Sequence, residues 1–165
     1  MRPVVVSDAG PLIALAGCGQ LELLVAVFGD IHIPQAVLDE TTADQSRRGA
    51  ADIAAFGRQH ATVHANRSDA IYKAAVSHLD EGEAQALSLA HALGCGLLMD
   101  ERRGRQEAQR QGLPLFGVLG VLLQAKRLGE VATVAPLLDQ MQKNGYRIST
   151  ELISAVLATA GESGT

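Results

Sequence analysis

Val4 to Leu15, VVVSDAGPLIAL, constrains the fold more than any other stretch of the chain. A β-branched run ends at Asp8, Ala9-Gly10 makes a small turn, and Pro11 opens an apolar helical segment. The pattern predicts a first buried strand, a tight turn and a first helix of an α/β protein. A carboxylate at the carboxyl end of a buried parallel strand lies where open α/β sheets form their ligand crevice. Asp8 also has a simpler reading, as a cap whose side chain accepts an amide hydrogen of the first helical turn. The stretch by itself does not choose between them.

Further along, the apolar period alternates between helix and strand. Leu21, Leu24, Val25 and Phe28 fit a helix closed by Gly29, and Ile31-His32-Ile33 reads as a strand ended by Pro34. A helix carrying Val37, Leu38, Asp39 and Glu40 follows, then a polar loop or frayed end from Thr41 to Gly49. Ile53 and Phe56 mark a helix to about Gln59, and Ala61 to Ala65 an edge strand. Residues 66–79 carry the weakest pattern, helical around Ile71 to His78. In LDEGEAQALSLAHALG, Asp80 and Glu83 make a capping-box start and Gly94 a stop. Gly96 to Met99 is a strand ending at Asp100, ERRGRQEAQRQG a charged surface helix, and Leu113 to Phe116 the next strand. Three more helices run through Leu119 to Ala125, Val134 to Met141 and, capped by Ser149, Leu152 to Leu157. Strands alternating with helices predict a three-layer α/β/α sandwich with a central parallel sheet.

The 165 residues are enough for one well-cored domain, with 47% hydrophobic and 19% charged residues. No apolar run approaches a membrane span, and the start of the chain lacks a signal-peptide core. Cys18 and Cys95 have no metal-ligand spacing and read as buried small hydrophobes in a reducing compartment. The expectation is a cytoplasmic protein without membrane contact. A net charge of −4 and three Phe, two Tyr and no Trp argue against a general nucleic-acid binder built on stacking. Any nucleic-acid chemistry here needs metal ions or a local cationic patch to offset the acids.

Four acids stand at structurally loaded places. Asp8 and Asp100 each end an apolar strand, and both belong at the carboxyl edge of one sheet. Glu83 falls on the apolar stripe of its helix, three residues before Ala86 and seven before Ala90, where an unpaired carboxylate costs several kcal/mol. Glu40 follows Val37 by three. Each has an ordinary alternative: Glu83 in a capping box, Glu40 solvated on its helix, Asp100 as a helix cap. Taken together, convergent carboxylate oxygens suit a hard cation, Mg²⁺ or Mn²⁺, and water activation on a phosphodiester. Arg102, Arg103 and Arg105 could contact flanking phosphates, or simply form a solvated helix face.

The blocks SDAGPLIALA, IPQAVLDE, LDEGEAQALSLA, LLMDERRGR, GVLGVLLQAKRLG and PLLDQMQKNGYRIS resemble those of PIN-domain proteins, of the kind found as VapC-type toxins and their relatives. The resemblance runs to about Gly161 and implies one PIN-like domain over 1–161 with a flexible tail over 162–165. It implies a metal-dependent ribonuclease whose acidic quartet maps onto Asp8, Glu40, Glu83 and Asp100, with Glu101 as an outer helper. It also implies an RNA substrate, a small antitoxin partner and a homodimer; the apolar C-terminal helices, 134–143 and 149–160, are either dimer contacts or plain core packing. Two positions depart from the family pattern: Gly10 and Leu98 stand where a hydroxyl residue is usual, and the third acid is Glu where many members have Asp. These departures leave open a second reading, a catalytically weak or inactive PIN-like binding or regulatory module. A haloacid-dehalogenase-type phosphatase needs a second Asp at position 10, which is Gly, and a receiver domain needs acidic-pair and Lys contexts that are missing.

Overall fold

The computed structural model describes residues 1–162. Its centre is β1 (Val4–Ser7), the strand expected from VVVS. On one side β1 pairs with β2 (Asp30–Pro34), which pairs with β3 (Thr62–His64); on the other it pairs with β4 (Gly96–Leu98), then β5 (Leu115–Phe116). Every pairing is parallel and the order is β3-β2-β1-β4-β5. Adjacent residues of β1 explain the continuous apolar run. Val5 faces one core and Val6 the other, both fully buried, because helices cover both faces of the sheet.

The Val5 core gathers side chains of α1 (Ala9–Gly17), α2 (Glu22–Val27), α3 (Gln35–Thr42), α4 (Ala50–His60), α8 (Val118–Arg127), α9 (Ala135–Lys143) and α10 (Thr150–Ala160). The Val6 core is built from α5 (Ala70–Ala75), α6 (Glu81–Leu93) and α7 (Arg102–Arg110). The three-layer α/β/α sandwich with its parallel sheet is therefore the fold. Burying Leu12, Leu15, Leu87 or Leu122, all shielded from solvent, contributes roughly 1.5–3 kcal/mol per side chain.

The local signals are realised with small shifts. α1 begins at Ala9 instead of Pro11, so Pro11 sits in the first turn, where its missing N–H costs nothing. Asp80 and Glu83 form a complete capping box on α6, and Gly94 ends that helix at φ 63°, a backbone conformation that favours glycine. In the weakly patterned stretch, Asp69 caps α5 by accepting the Tyr72 amide, and the helix unwinds after Ala75. Of the tail expected over 162–165, residues 163–165 lie outside the described residues. Glu162 is held by Lys126 at 2.8 Å and by the Val134 and Ala135 amides, which ties the end of α10 to the start of α9. Among the described residues no helix is long and apolar enough to cross a membrane. Cys18 and Cys95 are free thiols, Cys95 buried.

The sheet order places the site. After β1 the chain winds outward through β2 and β3, then returns to lay β4 against the opposite edge of β1. The crevice at such a reversal opens beyond the carboxyl ends of the two diverging strands, here β1 and β4.

Candidate active site

Asp8 and Asp100 follow β1 and β4 at this reversal. The Asp8 amide donates to the Leu98 carbonyl at 2.9 Å, which stitches the two strand ends together and aims the carboxylate beyond the sheet. Asp8 occupies the cap position of α1, yet its side chain makes no capping hydrogen bond. It is only 6% exposed, and burial pushes its pKa up to about 7; the Ala9 amide pulls back, while Glu83, Asp80 and Glu40 add repulsion.

Asp100 is partly buried and its pKa is also raised, by burial first, against the Val118 amide, the Tyr146 phenol and the Arg105 guanidinium, which lower it. Oδ1 accepts the Val118 amide at 3.0 Å. Oδ2 is out of reach of solvent and has no hydrogen-bond partner. A buried carboxylate oxygen left unpaired is costly unless something else arrives to meet it. Asp100 is not the helix cap, since α7 starts after Glu101.

Glu83 completes the capping box and also lines the cleft. Oε1 accepts the Asp80 amide at 3.0 Å in the capping box, and the residue is 9% exposed beside the cleft. Burial raises its pKa, with Asp80 and Glu101 repelling it. Glu40 is exposed at the end of α3, and its pKa is raised by its partial desolvation and by Asp80. Gly82 of α6 lies close to Glu40, since a Cβ there would stand 3.0 Å from Glu40 Oε1.

Asp8, Glu40, Asp80, Glu83, Asp100 and Glu101 thus line one open cleft of about 370 Å³, with Ala9, Gly10, Ile13, Tyr146 and Arg147. Among the described residues no three acids are already close enough together to hold a metal ion. The donor chemistry nevertheless fits a hard divalent cation. The side-chain donors of the acids are all oxygens, four of the acids are held above their ordinary pKa, and Asp100 Oδ2 is unpartnered.

The arginines of α7 separate. Arg105 donates to the Met99 carbonyl at 2.8 Å and the Phe116 carbonyl at 3.3 Å, so it fastens the β4 and β5 ends under Asp100. Arg102 and Arg103 are exposed and do not line the cleft. Three cleft residues have no separate signal in the sequence. Asp80 reads only as a cap, and Tyr146 and Arg147 sit in a turn without apolar period. Burial, then the charge of Asp100, pushes the Tyr146 phenol up, so it stays protonated.

The model of the family DUF3368, described as a PIN domain, matches residues 4–162. The chain belongs to the PIN-domain family. No curated protein matches the chain. The structure of PAE2754 from Pyrobaculum aerophilum is similar to this PIN domain at 20% identity and a TM-score of 0.51, covering 79% of this chain and 91% of that one. A PilT N-terminus domain protein, SSO1118, from the archaeon Sulfolobus solfataricus P2 aligns at 12% identity and a TM-score of 0.49, over 88% and 97% of the two chains. A domain of a functionally unknown protein from Methanocaldococcus jannaschii aligns at 18% and 0.46, over 70% and 91%. The likeness to PAE2754 shows the fold alone. PIN domains are typically nucleases and usually use divalent metal ions.

Proposed function

We propose that this cleft hydrolyses RNA phosphodiesters with Mg²⁺ or Mn²⁺. The observation that supports it is that Asp8, Glu40, Glu83 and Asp100, from four separate segments, line one cleft where β1 and β4 diverge. Asp8, Glu83 and Asp100 would hold the cation, with Glu40 reached through water. When bound, the cation lowers the pKa of a coordinated water and neutralises phosphate charge. Glu40, exposed at the rim with its pKa raised, would accept a proton. Glu101 adds negative charge beside Asp100 and Glu83, and Arg105 anchors the main chain under Asp100.

The test is cleavage of mixed RNA in Mg²⁺ or Mn²⁺ by wild type, by Asp100→Asn and with EDTA added. Chelation is expected to stop cleavage, and Asp100→Asn to reduce it by at least about 100-fold. Unchanged activity in Asp100→Asn would remove Asp100 from the site.

The same reading includes a toxin role, a small antitoxin and a homodimer, in a cytoplasmic setting. A short reading frame beside the gene and a two-copy mass in solution are the expected signs.

Gly10 favours a second reading, a binding module with little catalysis, because this cleft position carries no hydroxyl. A Cβ at Gly10 would meet nothing within 4 Å, so Gly10→Ser is accommodated without a steric conflict. Its melting temperature is expected to fall by no more than about 2 °C, since surface changes stay within about 0.5 kcal/mol. If the missing hydroxyl limits the rate, Gly10→Ser cleaves RNA faster than wild type; an equal or lower rate shows that Gly10 is not the limit.

A further inference from the structure

Three grooves meet at one pair of residues in the turn between α9 and α10. Tyr146 and Arg147 line the acid cleft, a second groove past Gly117, Leu119, Gly120 and Leu152, and a third beside Gln142 and Ser149. The first two also share Asp100, so they run into one another across the proposed reaction centre. The second groove has a cavity volume of about 440 Å³, within the range of ligand sites.

Among the described residues, Arg147 is the one cation that lines the acid cleft, which six carboxylates also line. It is exposed and makes no ion pair or hydrogen bond among the described residues. The other cation of the second groove, Arg105, is committed to two main-chain carbonyls. Arg102 and Arg103 line neither groove. A phosphodiester approaching six acids is repelled unless a cation meets it, and a guanidinium offers a planar fork to phosphate oxygens. Gly117 and Gly120 leave the second groove low on the α8 side, and a Cβ at Gly120 would meet nothing within 4 Å.

We propose that Arg147 grips a phosphate of the substrate at the acid cleft, and that the groove over Gly117 and Gly120 carries the flanking RNA strand. This rests on the ribonuclease reading of the cleft and transfers the substrate contact from the α7 arginines to the α9–α10 turn.

The experiment measures binding of a fluorescein-labelled single-stranded RNA by anisotropy in Ca²⁺, across a range of salt. Metal-dependent cleavage by the same proteins is followed alongside. Arg147→Ala is expected to weaken binding about 10-fold to 100-fold, the range for a lost charged hydrogen bond. It is also expected to flatten the salt slope by about 0.7, the value for one lost phosphate contact on a single strand. Its melting temperature stays that of wild type, and Arg147→Lys recovers the salt slope while regaining only part of the affinity. Gly120→Glu, whose Cβ meets no clash, weakens binding by placing an acid where the strand lies. The double variant Arg102→Ala, Arg103→Ala stays within about twofold of wild type, as expected of solvated charges that touch no phosphate.

Unchanged affinity and salt slope in Arg147→Ala, or a loss that falls on the Arg102, Arg103 double variant instead, overturns the proposal. If that happens while wild type still cleaves RNA and Asp100→Asn does not, the ribonuclease reading survives and only the assignment of Arg147 is lost. Wild type that neither binds nor cleaves RNA overturns both.

Discussion

Asp8→Asn is expected to stabilise the metal-free protein at pH 8 and to reduce RNA cleavage by at least about 100-fold. A solvated aspartate titrates at 3.8, whereas burial, above all, holds Asp8 in the folded protein at about 7. Between those values the folded protein keeps a proton that the unfolded chain has lost. Stability therefore falls as pH rises from about 4 to about 7, and the deficit persists above that window. Its size is on the order of a few kcal/mol, since one pKa unit corresponds to about 1.4 kcal/mol. Asn keeps the shape without the charge. Melting temperatures in EDTA should therefore diverge between pH 5 and pH 8, with the variant higher. A gap that does not widen, or a less stable variant at pH 8, would show that Asp8 carries no such burden. Added Mg²⁺ should raise the melting temperature of wild type and leave Asp8→Asn nearly unmoved, because a ligand stabilises only the state that binds it.

Gly104→Ala is the second large effect, and it reaches the site through packing. Gly104 lies in α7 directly against Met99, and a Cβ there would stand 1.8 Å from the Met99 sulfur. Met99 is completely buried, so its sulfur must shift within the core and not out into solvent. Helix propensity favours Ala by about 1 kcal/mol, but overpacking costs typically 1–3 kcal/mol and here the overlap is severe. A net loss of about 1–2 kcal/mol is expected, seen as a melting temperature lower by about 2–8 °C. Met99 immediately precedes Asp100, and its carbonyl is one of the two that Arg105 holds. Cleavage should fall together with stability. A variant as stable as wild type would mean that α7 can lift away from β4 at little cost.

The strands and the four acids can be read from the chain because their signals are local. VVVS and GLLM are apolar runs, and the acids that follow them sit at element ends, whose position relative to a parallel sheet is general. The competing uses of those acids cannot be decided locally. Whether Asp8 caps α1 depends on where its oxygens point, and Glu83 turns out to serve the capping box and the cleft together. Arg105 looks like its neighbours because nothing in ERRGR marks one guanidinium for main-chain carbonyls brought from Met99 and Phe116. Tyr146 and Arg147 are hidden for a similar reason. Their turn is positioned by distant contacts, among them Asn144 donating to the Gly17 carbonyl at 3.0 Å.

The pairing of Val5 with Gly96 has a consequence for when the cleft forms. Partners so distant in sequence meet late, since a long loop must close before the contact rewards it. Asp100 is then tethered by the Val118 amide, and the turn with Tyr146 comes later still in the chain. A growing polypeptide carries Asp8 from the start of its synthesis but has no cleft until most of the sequence has emerged. On the ribonuclease reading, a cleft able to cut RNA would form only after residues as far as Arg147 have emerged.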